Sequence, residues 1–324
     1  MTIKAYITGI CGFAGSWLAE ELLAHGYAVA GAALPDEADD NLTGVGKRVH
    51  LDRFDLTDAD ACRQALNHAK PDVLFHLAAL SSVGQSFSQG ESTFRVNVIG
   101  SYNIFQAVRD SRRLKKLVFV SSADVYGPVR PAELPLKPDR LLNPVSPYGQ
   151  SKAAAEYLAR LYFDACGLPV VAARSFNHSG PRQNPNFVIP ALCRKIVEAE
   201  LSGGRKAVTV GNLSARRDIS DVRDIVRGYR LLAEKGTSGK TYHLCSGKAY
   251  RIGDLLNKLI ALSDTPIKVT LDKALFRKID IPILRGSFLA TRRDVGWKPD
   301  IAIADTLKDT LAYWREKLMQ GSRP

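Results

Sequence analysis

A glycine-rich turn near the start of the chain constrains the fold more strongly than any other feature. The stretch Gly9-Ile10-Cys11-Gly12-Phe13-Ala14-Gly15 directly follows a short apolar run and precedes a segment whose leucines have helical spacing. Residues without a Cβ allow backbone N–H groups to approach a pyrophosphate, and the start of a helix adds a partial positive charge. A tight structural turn is the alternative explanation. Because the strand–turn–helix context is complete, we predict a dinucleotide site formed by Gly9, Gly12, Phe13, Ala14 and Gly15.

The first half of the chain alternates short apolar runs with longer segments of helical spacing. We predict strands at 5–8, 27–34, 73–78, 117–121 and 169–173, and helices at 16–25, 58–68 and 91–109. This alternation is typical of an α/β fold. We therefore predict a Rossmann-type, doubly wound parallel sheet.

The second half is less regular. It contains predicted helices at 187–201 and 251–263 and an apolar run at 241–245 that can rejoin the sheet. We expect an NAD(P)-binding domain over residues 1–175, rejoined by about 219–246. A smaller C-terminal substrate lobe is expected over 176–218 and 247–324.

Length and composition exclude several classes of protein. The chain has 324 residues, of which 45% are hydrophobic and 24% charged, the usual balance of a globular protein. No run approaches the roughly 20 apolar residues of a membrane helix, and the N-terminus lacks a signal-peptide pattern. We therefore expect a cytoplasmic protein with no membrane partner. Five widely spaced cysteines without a CxxC pair argue against a disulfide framework and against a metal site.

The net charge of +12 is dispersed along the chain, with only small basic clusters. There is no long basic tail and no basic stripe interleaved with aromatic residues, so we expect no nucleic-acid partner. A dispersed surface charge and an anionic diphosphate ligand both remain as explanations.

A tyrosine and a lysine carry the predicted chemistry. Tyr148 and Lys152 lie one helical turn apart and share a helix face, behind Ser146 as a credible N-cap. A nearby ammonium favours tyrosinate, so Lys152 is expected to lower the pKa of Tyr148. Ser122 ends a buried-looking strand, and ligands gather at the carboxyl ends of parallel strands. The alternative for Ser122 is a cap of the next turn.

The same spacing recurs at Tyr313 and Lys317, near the C-terminus. No strand-end hydroxyl or glycine turn accompanies that pair. An amphipathic terminal helix explains it.

Other strand ends are candidates for the cofactor wall. Asp55 and Leu56 follow a probable short strand and are placed at the adenine, although Asp55 can equally cap the helix that follows. Leu77, Ala78 and Ala79 end the third strand with little bulk, which suits a flat cofactor. The second strand ends in Gly31-Ala32-Ala33-Leu34-Pro35-Asp36, with no well-placed acid and no basic residue close by. The choice between NAD and NADP therefore stays open.

Three motifs together resemble the extended short-chain dehydrogenase/reductases over nearly the whole chain. They are the glycine turn, Ser122-Ala123-Asp124-Val125-Tyr126-Gly127 and Tyr148-Gly149-Gln150-Ser151-Lys152. The resemblance implies Ser122, Tyr148 and Lys152 as catalytic residues. It also implies a homodimer formed through the helices at 91–109 and 148–166.

Further segments narrow the resemblance. The stretch Arg174-Ser175-Phe176-Asn177-His178-Ser179-Gly180-Pro181 is similar to a segment shared by GDP-mannose 4,6-dehydratases and GDP-4-keto-6-deoxymannose reductases. Leu284-Arg285-Gly286-Ser287 and Gly296-Trp297-Lys298-Pro299 resemble the reductases more closely. A nucleotide sugar, with GDP as the expected nucleotide, is the implied substrate.

Substrate contacts are assigned by residue chemistry and by this resemblance. A guanidinium grips phosphate bidentately, so the arginines among the candidates suit the diphosphate, with a surface ion pair as the alternative. His178 is expected to be structural rather than a general acid. The candidates are Ser81, Ser82, Asp124, Asn177, Val188, Arg217, Arg277 and Arg285.

Reduction and dehydration require different groups. A 4,6-dehydratase needs an additional acid and base near C5 and C6. If this chain resembled the dehydratases at the end of the strand, it would have Thr-Ser-Glu or Thr-Asp-Glu there, whereas it has Ser122-Ala123-Asp124. A 4-keto reductase needs only a hydride and one proton. We therefore favour reduction of GDP-4-keto-6-deoxy-D-mannose to GDP-D-rhamnose. The talose epimer, a dehydratase or an epimerase remain alternatives. A non-enzymatic dinucleotide-binding regulator would be expected to lack Tyr148 or Lys152.

Overall fold

The computed structural model describes residues 2–204, 206–276 and 281–321. The strands within these ranges are β1 (Lys4–Thr8), β2 (Ala28–Ala33), β3 (Val49–Arg53), β4 (Val73–His76), β5 (Lys116–Ser122), β6 (Val170–Ser175), β7 (Asn177–Ser179), β8 (Val208–Val210), β9 (Arg216–Asp221), β10 (Thr241–Leu244), β11 (Ala249–Arg251) and β12 (Val269–Leu271). The helices are α1 (Phe13–Ala24), α2 (Ala59–Ala69), α3 (Val83–Ser86), α4 (Gly90–Phe94), α5 (Gly100–Val108), α6 (Pro147–Cys166), α7 (Val188–Leu201), α8 (Val222–Lys235), α9 (Ile252–Ile260), α10 (Leu289–Val295) and α11 (Ile303–Gly321).

Seven strands form a parallel sheet in the order β10-β6-β5-β4-β1-β2-β3. The strand order reverses between β1 and β4: β2 and β3 lie on one side of β1, whereas β4, β5, β6 and β10 lie on the other. Ligands of open α/β sheets bind at this kind of switch point. The predicted Rossmann-type doubly wound sheet is confirmed.

Helices cover both faces of this sheet because its central strands are apolar on both sides. All four residues of β4 and all six of β6 are buried. One core contains Leu18 and Leu22 of α1 together with Ile225 and Tyr229 of α8. The opposite core is built by α2, α5 and α6, with Leu66, Phe105 and Ala159 among its members. Each buried aliphatic or aromatic side chain contributes about 1.5–3 kcal/mol to stability.

The remaining chain forms a smaller lobe with its own core. Helices α7, α9 and α11 pack around Ile196, Leu255 and Leu311. Two small sheets belong to this part, in the orders β11-β9-β7 and β12-β8. Strand β10 pairs in parallel with β6, so the chain returns to the central sheet after leaving it. The exact division into domains stays a prediction.

The helix predicted at 91–109 is interrupted. Residues Arg95–Ile99 form a π-helical segment between α4 and α5. Asn97 lies in this wider turn, buried, and its side-chain amide bonds the backbone N–H and C=O of Leu80 at 2.8 and 3.1 Å. It also donates to Ser151 Oγ at 2.9 Å. These bonds to distant parts of the chain compensate for the altered helical hydrogen bonding.

Candidate active site

A cleft of about 640 Å³ runs along the carboxyl ends of the central strands. Residues from the ends of β1, β2, β4, β5 and β6 line it, together with the start of α6. This is the position at which an open α/β sheet binds its ligand.

The glycine turn forms the wall next to β1. Gly9 has a φ of +71°, and an added Cβ there would lie 3.0 Å from Ala78 Cα. An added Cβ on Gly15 would lie 2.1 Å from the Gly9 carbonyl oxygen, an impossible contact. Helix α1 begins at Phe13, and its N-cap Gly12 provides no capping side chain. The first amides of α1 therefore remain for an anion, and the turn fits a pyrophosphate.

All ten residues predicted for the cofactor wall line the cleft. They are Gly9, Gly12, Phe13, Ala14, Gly15, Asp55, Leu56, Leu77, Ala78 and Ala79. The carboxylate of Asp55 accepts the backbone N–H of Thr57 at 2.8 Å, so it also shapes the turn before α2. The helix cap itself is Asp58, which accepts from Asp60 and Ala61. The binding roles of the ten residues stay predictions.

Two charged residues that lie near the end of β2 were not predicted from the sequence. Glu37 lines the cleft and accepts the backbone N–H of Leu34 at 3.2 Å. Arg53, at the end of β3, donates to the carbonyls of Leu34, Pro35 and Glu37 at 3.2, 3.3 and 2.8 Å. The prediction that no basic residue lies close to the end of β2 is wrong, because β2 pairs with β3 and Arg53 lies opposite Ala33.

Ser122, Tyr148 and Lys152 meet in the cleft, as expected from their motifs. Ser122 ends β5, whereas the other two lie on the first turns of α6, and all three are buried. Ser146 starts this helix by accepting the N–H of Gly149 at 3.0 Å. Lys152 Nζ lies 4.8 Å from the centroid of the Phe119 ring. Tyr313 and Lys317 form a separate pair within α11, where the ammonium donates to the phenolic oxygen at 3.3 Å.

The ionisation of Tyr148 differs from the sequence expectation. Burial raises the pKa of Tyr148 well above its usual value, and the charge of Asp124 raises it further, against a hydrogen bond with Ser122. Burial likewise lowers the pKa of Lys152 to about 8, although the Glu156 carboxylate opposes this. Desolvation is the largest cause of both shifts, and it favours the neutral form of the Tyr148 phenol.

A buried ion pair supports the reactive face of α6. Glu156 lies one turn beyond Lys152, and its Oε1 accepts from Arg174 Nη2 at 2.6 Å. Ser121 Oγ donates to Glu156 Oε2 at 2.5 Å, and Arg174 Nη1 donates to the Tyr126 hydroxyl at 2.5 Å. Sequence reasoning missed this pair, although Glu156 continues the one-turn spacing of Tyr148 and Lys152.

The predicted substrate residues divide into three groups. Ser81, Ser82, Asp124, Asn177 and Arg217 line the cleft. Within the described ranges, Val188 and Arg285 do not: Val188 begins α7, and Arg285 lies beside the buried Leu284. Arg277 lies outside the described residues.

His178 behaves as a structural residue. Its Nδ1 donates to the Phe176 carbonyl at 3.0 Å, and its ring stacks on Phe13 with centroids 5.9 Å apart. Burial lowers the pKa of His178, so the ring is neutral. The stack brings the segment after β6 against the glycine turn.

Asp218 joins three segments from the second half of the chain. Its buried carboxylate accepts the backbone N–H groups of Ser246, Gly247 and Gly286 at 2.7, 3.0 and 3.1 Å, and the Ser246 hydroxyl at 2.7 Å. Burial raises its pKa to about 6 although these bonds oppose the rise. Three segments that are distant in the sequence therefore meet at one carboxylate, among them Leu284-Arg285-Gly286-Ser287, which the resemblance singled out.

In the parts of the chain that the structure covers, no group of three or more His, Cys, Asp or Glu side chains is arranged to hold a metal ion. None of the helices in those parts has the length and apolar character needed to cross a bilayer.

The fold and the cleft together define a class: a dinucleotide-binding α/β protein with a tyrosine, a lysine and a serine at the strand ends. The chain belongs to the family described as GDP-mannose 4,6 dehydratase, whose model matches residues 6–310. The family expected from the sequence motifs is confirmed.

Two relatives extend over nearly the whole chain. The GDP-6-deoxy-D-mannose reductase of Pseudomonas aeruginosa is 30% identical over 320 residues, covering 99% of this chain and 100% of the relative. The GDP-mannose 4,6 dehydratase of Homo sapiens is 27% identical over 340 residues, covering 94% and 89%.

Two solved structures are similar throughout. The structure of RMD from Pseudomonas aeruginosa complexed with NADPH has a TM-score of 0.84 at 30% identity, covering 98% of this chain and 100% of that one. The UDP-glucose 4-epimerase of Thermus thermophilus in complex with NAD has a TM-score of 0.87 at 27% identity, covering 97% and 99%.

Replacing Gly15 with alanine should abolish tight cofactor binding, because the new methyl group would displace the Gly9 carbonyl. Overpacking of this kind costs about 1–3 kcal/mol, so we expect the Kd for NADPH or NADH to rise about 5- to 150-fold. Titration calorimetry measures it. The control is Gly90→Ala, where nothing lies within 4 Å of an added Cβ. Equal Kd values for the two variants would contradict the assignment.

Replacing Glu37 with glutamine should raise the ratio of kcat/KM for NADPH to that for NADH. The amide oxygen can still accept the Leu34 N–H, whereas a negative charge that repels a 2′-phosphate is removed. We expect a change of about tenfold, measured by initial rates with each cofactor. The matched control is Asp36→Asn, which removes an exposed charge on the same loop outside the cleft. A ratio that changes equally in both variants would refute a local effect.

Proposed function

We propose that this protein reduces the 4-keto group of GDP-4-keto-6-deoxy-D-mannose to give GDP-D-rhamnose, using NADPH or NADH. One observation carries the proposal: the buried side chains of Ser122, Tyr148 and Lys152 meet in the cleft that the glycine turn lines. The full-length similarity to the Pseudomonas aeruginosa reductase supports the choice of substrate. The RMD structure complexed with NADPH supports a nicotinamide cofactor.

The residues of the cleft supply the acid half of the reaction. The reduced nicotinamide cofactor, when bound, supplies a hydride. Tyr148 donates its phenolic proton to the carbonyl oxygen at C4, and the π electron pair of the C=O bond forms the new O–H bond. Lys152 stabilises the resulting tyrosinate, which regains a proton from solvent. Ser122 holds the carbonyl oxygen beside the phenol by a hydrogen bond.

The glycine turn and the strand ends would hold the cofactor. The first amide N–H groups of α1 would donate hydrogen bonds to the pyrophosphate, and the small residues after β4 would leave room for the flat rings. Substrate contacts are proposed for Ser81, Ser82, Asp124, Asn177 and Arg217. Val188, Arg277 and Arg285 remain predicted contacts of the nucleotide. We also propose the division into a cofactor domain (1–175 and about 219–246) and a nucleotide-sugar lobe (176–218 and 247–324).

A 4,6-dehydratase is the second candidate. Asp124 lines the cleft and offers a carboxylate where a dehydratase needs a further base, and the human relative is named for that activity. The shorter side chain and the alanine at position 123 favour reduction. A cytoplasmic location and the lack of a nucleic-acid partner stay predictions.

Two substrates separate the candidates. The protein is incubated with GDP-mannose and, separately, with GDP-4-keto-6-deoxy-D-mannose plus reduced cofactor. If the protein is a reductase, it consumes reduced cofactor only with the keto sugar. NMR of the product then distinguishes rhamnose from its talose epimer. Formation of a keto sugar from GDP-mannose alone would establish the dehydratase instead.

Replacing Tyr148 with phenylalanine should lower kcat about 10²–10⁴-fold, because the proton donor is lost, while cofactor affinity is retained. The matched control is Tyr313→Phe, which alters the other tyrosine of a YxxxK pair, on α11. Stopped-flow rates and cofactor titration give both quantities. Normal turnover by the Tyr148 variant would refute its assignment as the donor.

We further propose a homodimer through α6 and the helices flanking the π segment. Both surfaces expose large apolar side chains: Phe94, Ile99 and Tyr102 on one, Tyr157 and Leu161 on the other. Clusters of this kind mark interaction surfaces. Light scattering should give twice the chain mass, and a Tyr157→Glu, Leu161→Glu double variant should give the single mass. Leu289→Glu, at an exposed leucine of α10, is the control. A monomeric parent protein would rule out the dimer.

A further inference from the structure

Two buried hydroxyl groups form a hydrogen-bonded pair in the wall of the cleft. Ser175 Oγ and the Tyr229 hydroxyl lie 2.8 Å apart, and either oxygen can be the donor. Ser175 ends β6, whereas Tyr229 lies on α8, and both residues line the cleft. Both side chains are buried. The proton transfer proposed for Ser122, Tyr148 and Lys152 does not use this pair.

The pair has hydrogen-bonding capacity beyond the bond between its members. Two hydroxyls offer two protons, and their mutual bond uses one proton and one lone pair. Among the described residues, this is the hydrogen bond that accounts for both hydroxyls. Burial raises the pKa of Tyr229, which favours the protonated phenol. Since buried polar groups are costly without partners, the pair is complementary to a ligand group that both donates and accepts.

The strand register places this pair beside the reactive serine. Strands β5 and β6 pair in parallel, with Ser122 opposite Ser175 at their carboxyl ends. Neighbouring strands are separated by about 4.7–4.9 Å, so the two serines are one strand spacing apart. His178, three residues beyond Ser175, stacks on Phe13 of the glycine turn. The end of β6 therefore connects the cofactor wall with the reactive serine.

Helices α8 and α6 approach these strand ends from opposite faces of the sheet. Tyr229 belongs to the core that also contains Leu18 of α1, the helix that begins at the glycine turn. Ala159 of α6 belongs to the core on the other face. The hydroxyl pair is therefore on the side of the pyrophosphate wall, whereas Tyr148 and Lys152 approach from the opposite side on α6.

The nicotinamide carboxamide is the cofactor group whose chemistry suits this pair. A primary carboxamide carries a C=O acceptor and an NH2 donor, which match the remaining proton and lone pairs of the two hydroxyls. A dinucleotide whose pyrophosphate binds at the start of α1 must extend its nicotinamide toward Ser122 to deliver hydride to a carbonyl there. A hexose hydroxyl also donates and accepts, but the sugar is held by Tyr148, on the opposite face.

We propose that Ser175 and Tyr229 together bind the carboxamide of the nicotinamide ring and hold that ring beside Ser122. The proposal rests on the proposed cofactor site and is independent of which sugar is reduced. A bond that only links α8 to β6 would not distinguish one ligand group from another. Ligand chemistry therefore separates a binding role from a purely structural one.

The test compares Tyr229→Phe and Ser175→Ala with the control Tyr242→Phe. Tyr242 is a buried tyrosine of the same core, and its hydroxyl donates to Asp294 at 3.3 Å, outside the cleft. Titration calorimetry gives the Kd of the preferred reduced cofactor and of the matching ADP-ribose, which lacks the nicotinamide. Loss of one hydrogen bond should weaken the reduced cofactor about 2- to 12-fold in both test variants. The affinity for ADP-ribose, and both affinities of the control, should keep the parent values.

An altered cofactor identifies the group that the pair binds. Reduced 3-acetylpyridine dinucleotide has a methyl ketone in place of the carboxamide and so lacks the NH2 donor. The parent protein should bind this analogue more weakly than the normal cofactor, and Tyr229→Phe should diminish that difference. An undiminished difference overturns the proposal.

Three further outcomes decide the matter. Equal weakening of ADP-ribose and of the whole cofactor would leave the pair a structural role only and overturn the proposal. A changed KM for the keto sugar with unchanged cofactor affinity would assign the pair to the substrate instead. If the parent protein binds neither the cofactor nor ADP-ribose, the proposed function fails as well, whereas test variants that bind both like the parent contradict the hydroxyl pair alone.

Discussion

The close approach of α1 to the end of β1 is the constraint on which the cleft depends. The Gly9 carbonyl and the Gly15 backbone occupy the space in which any side chain at position 15 would stand. Ala78, after β4, closes on the same turn from the other side of the strand reversal. The wall at this point is therefore backbone, and the start of α1 beside it gives it the chemistry of an anion site.

Buried charge is the second constraint, because it holds the reactive helix in place. The ion pair between Glu156 and Arg174 links α6 to β6. A hydrogen bond from Ser121 links the same carboxylate to β5. Leaving one member of such a pair unpartnered costs about 3–5 kcal/mol. The helix face that carries Tyr148 and Lys152 is consequently held against the sheet at a fixed register, which a proton transfer over one hydrogen-bond length requires.

Sequence reasoning succeeded wherever the determinants are local. Strands buried on both faces are continuous apolar runs, so the sheet and the strand ends that line the cleft could be predicted, and the one-turn spacing brought Tyr148 and Lys152 to one face. It failed where distant segments meet. Arg53 reaches the end of β2 only through strand pairing, and Asn97 makes its bonds to Leu80 and Ser151 across the fold.

Other features depend on properties that periodicity does not encode. The depth of burial sets the direction of the Tyr148 pKa shift, because desolvation is its largest cause. Val188 and Arg285 were predicted as substrate contacts from their positions along the chain. Such a position does not specify whether a side chain reaches the cleft. Glu37 was missed because it lies beyond the position at which an acid is usual after the second strand.

The carboxylate of Asp218, which accepts the backbone N–H groups of Ser246, Gly247 and Gly286, also affects where the length of this part of the chain can change. Because Gly247 and Gly286 are both anchored to Asp218, the two ends of the segment that contains β11, α9 and β12 meet at one point. Lengthening the turn between α9 and β12 is inexpensive, since doubling the length of a flexible loop costs only about 0.6 kcal/mol. An insertion at that turn leaves the anchor at Asp218 intact.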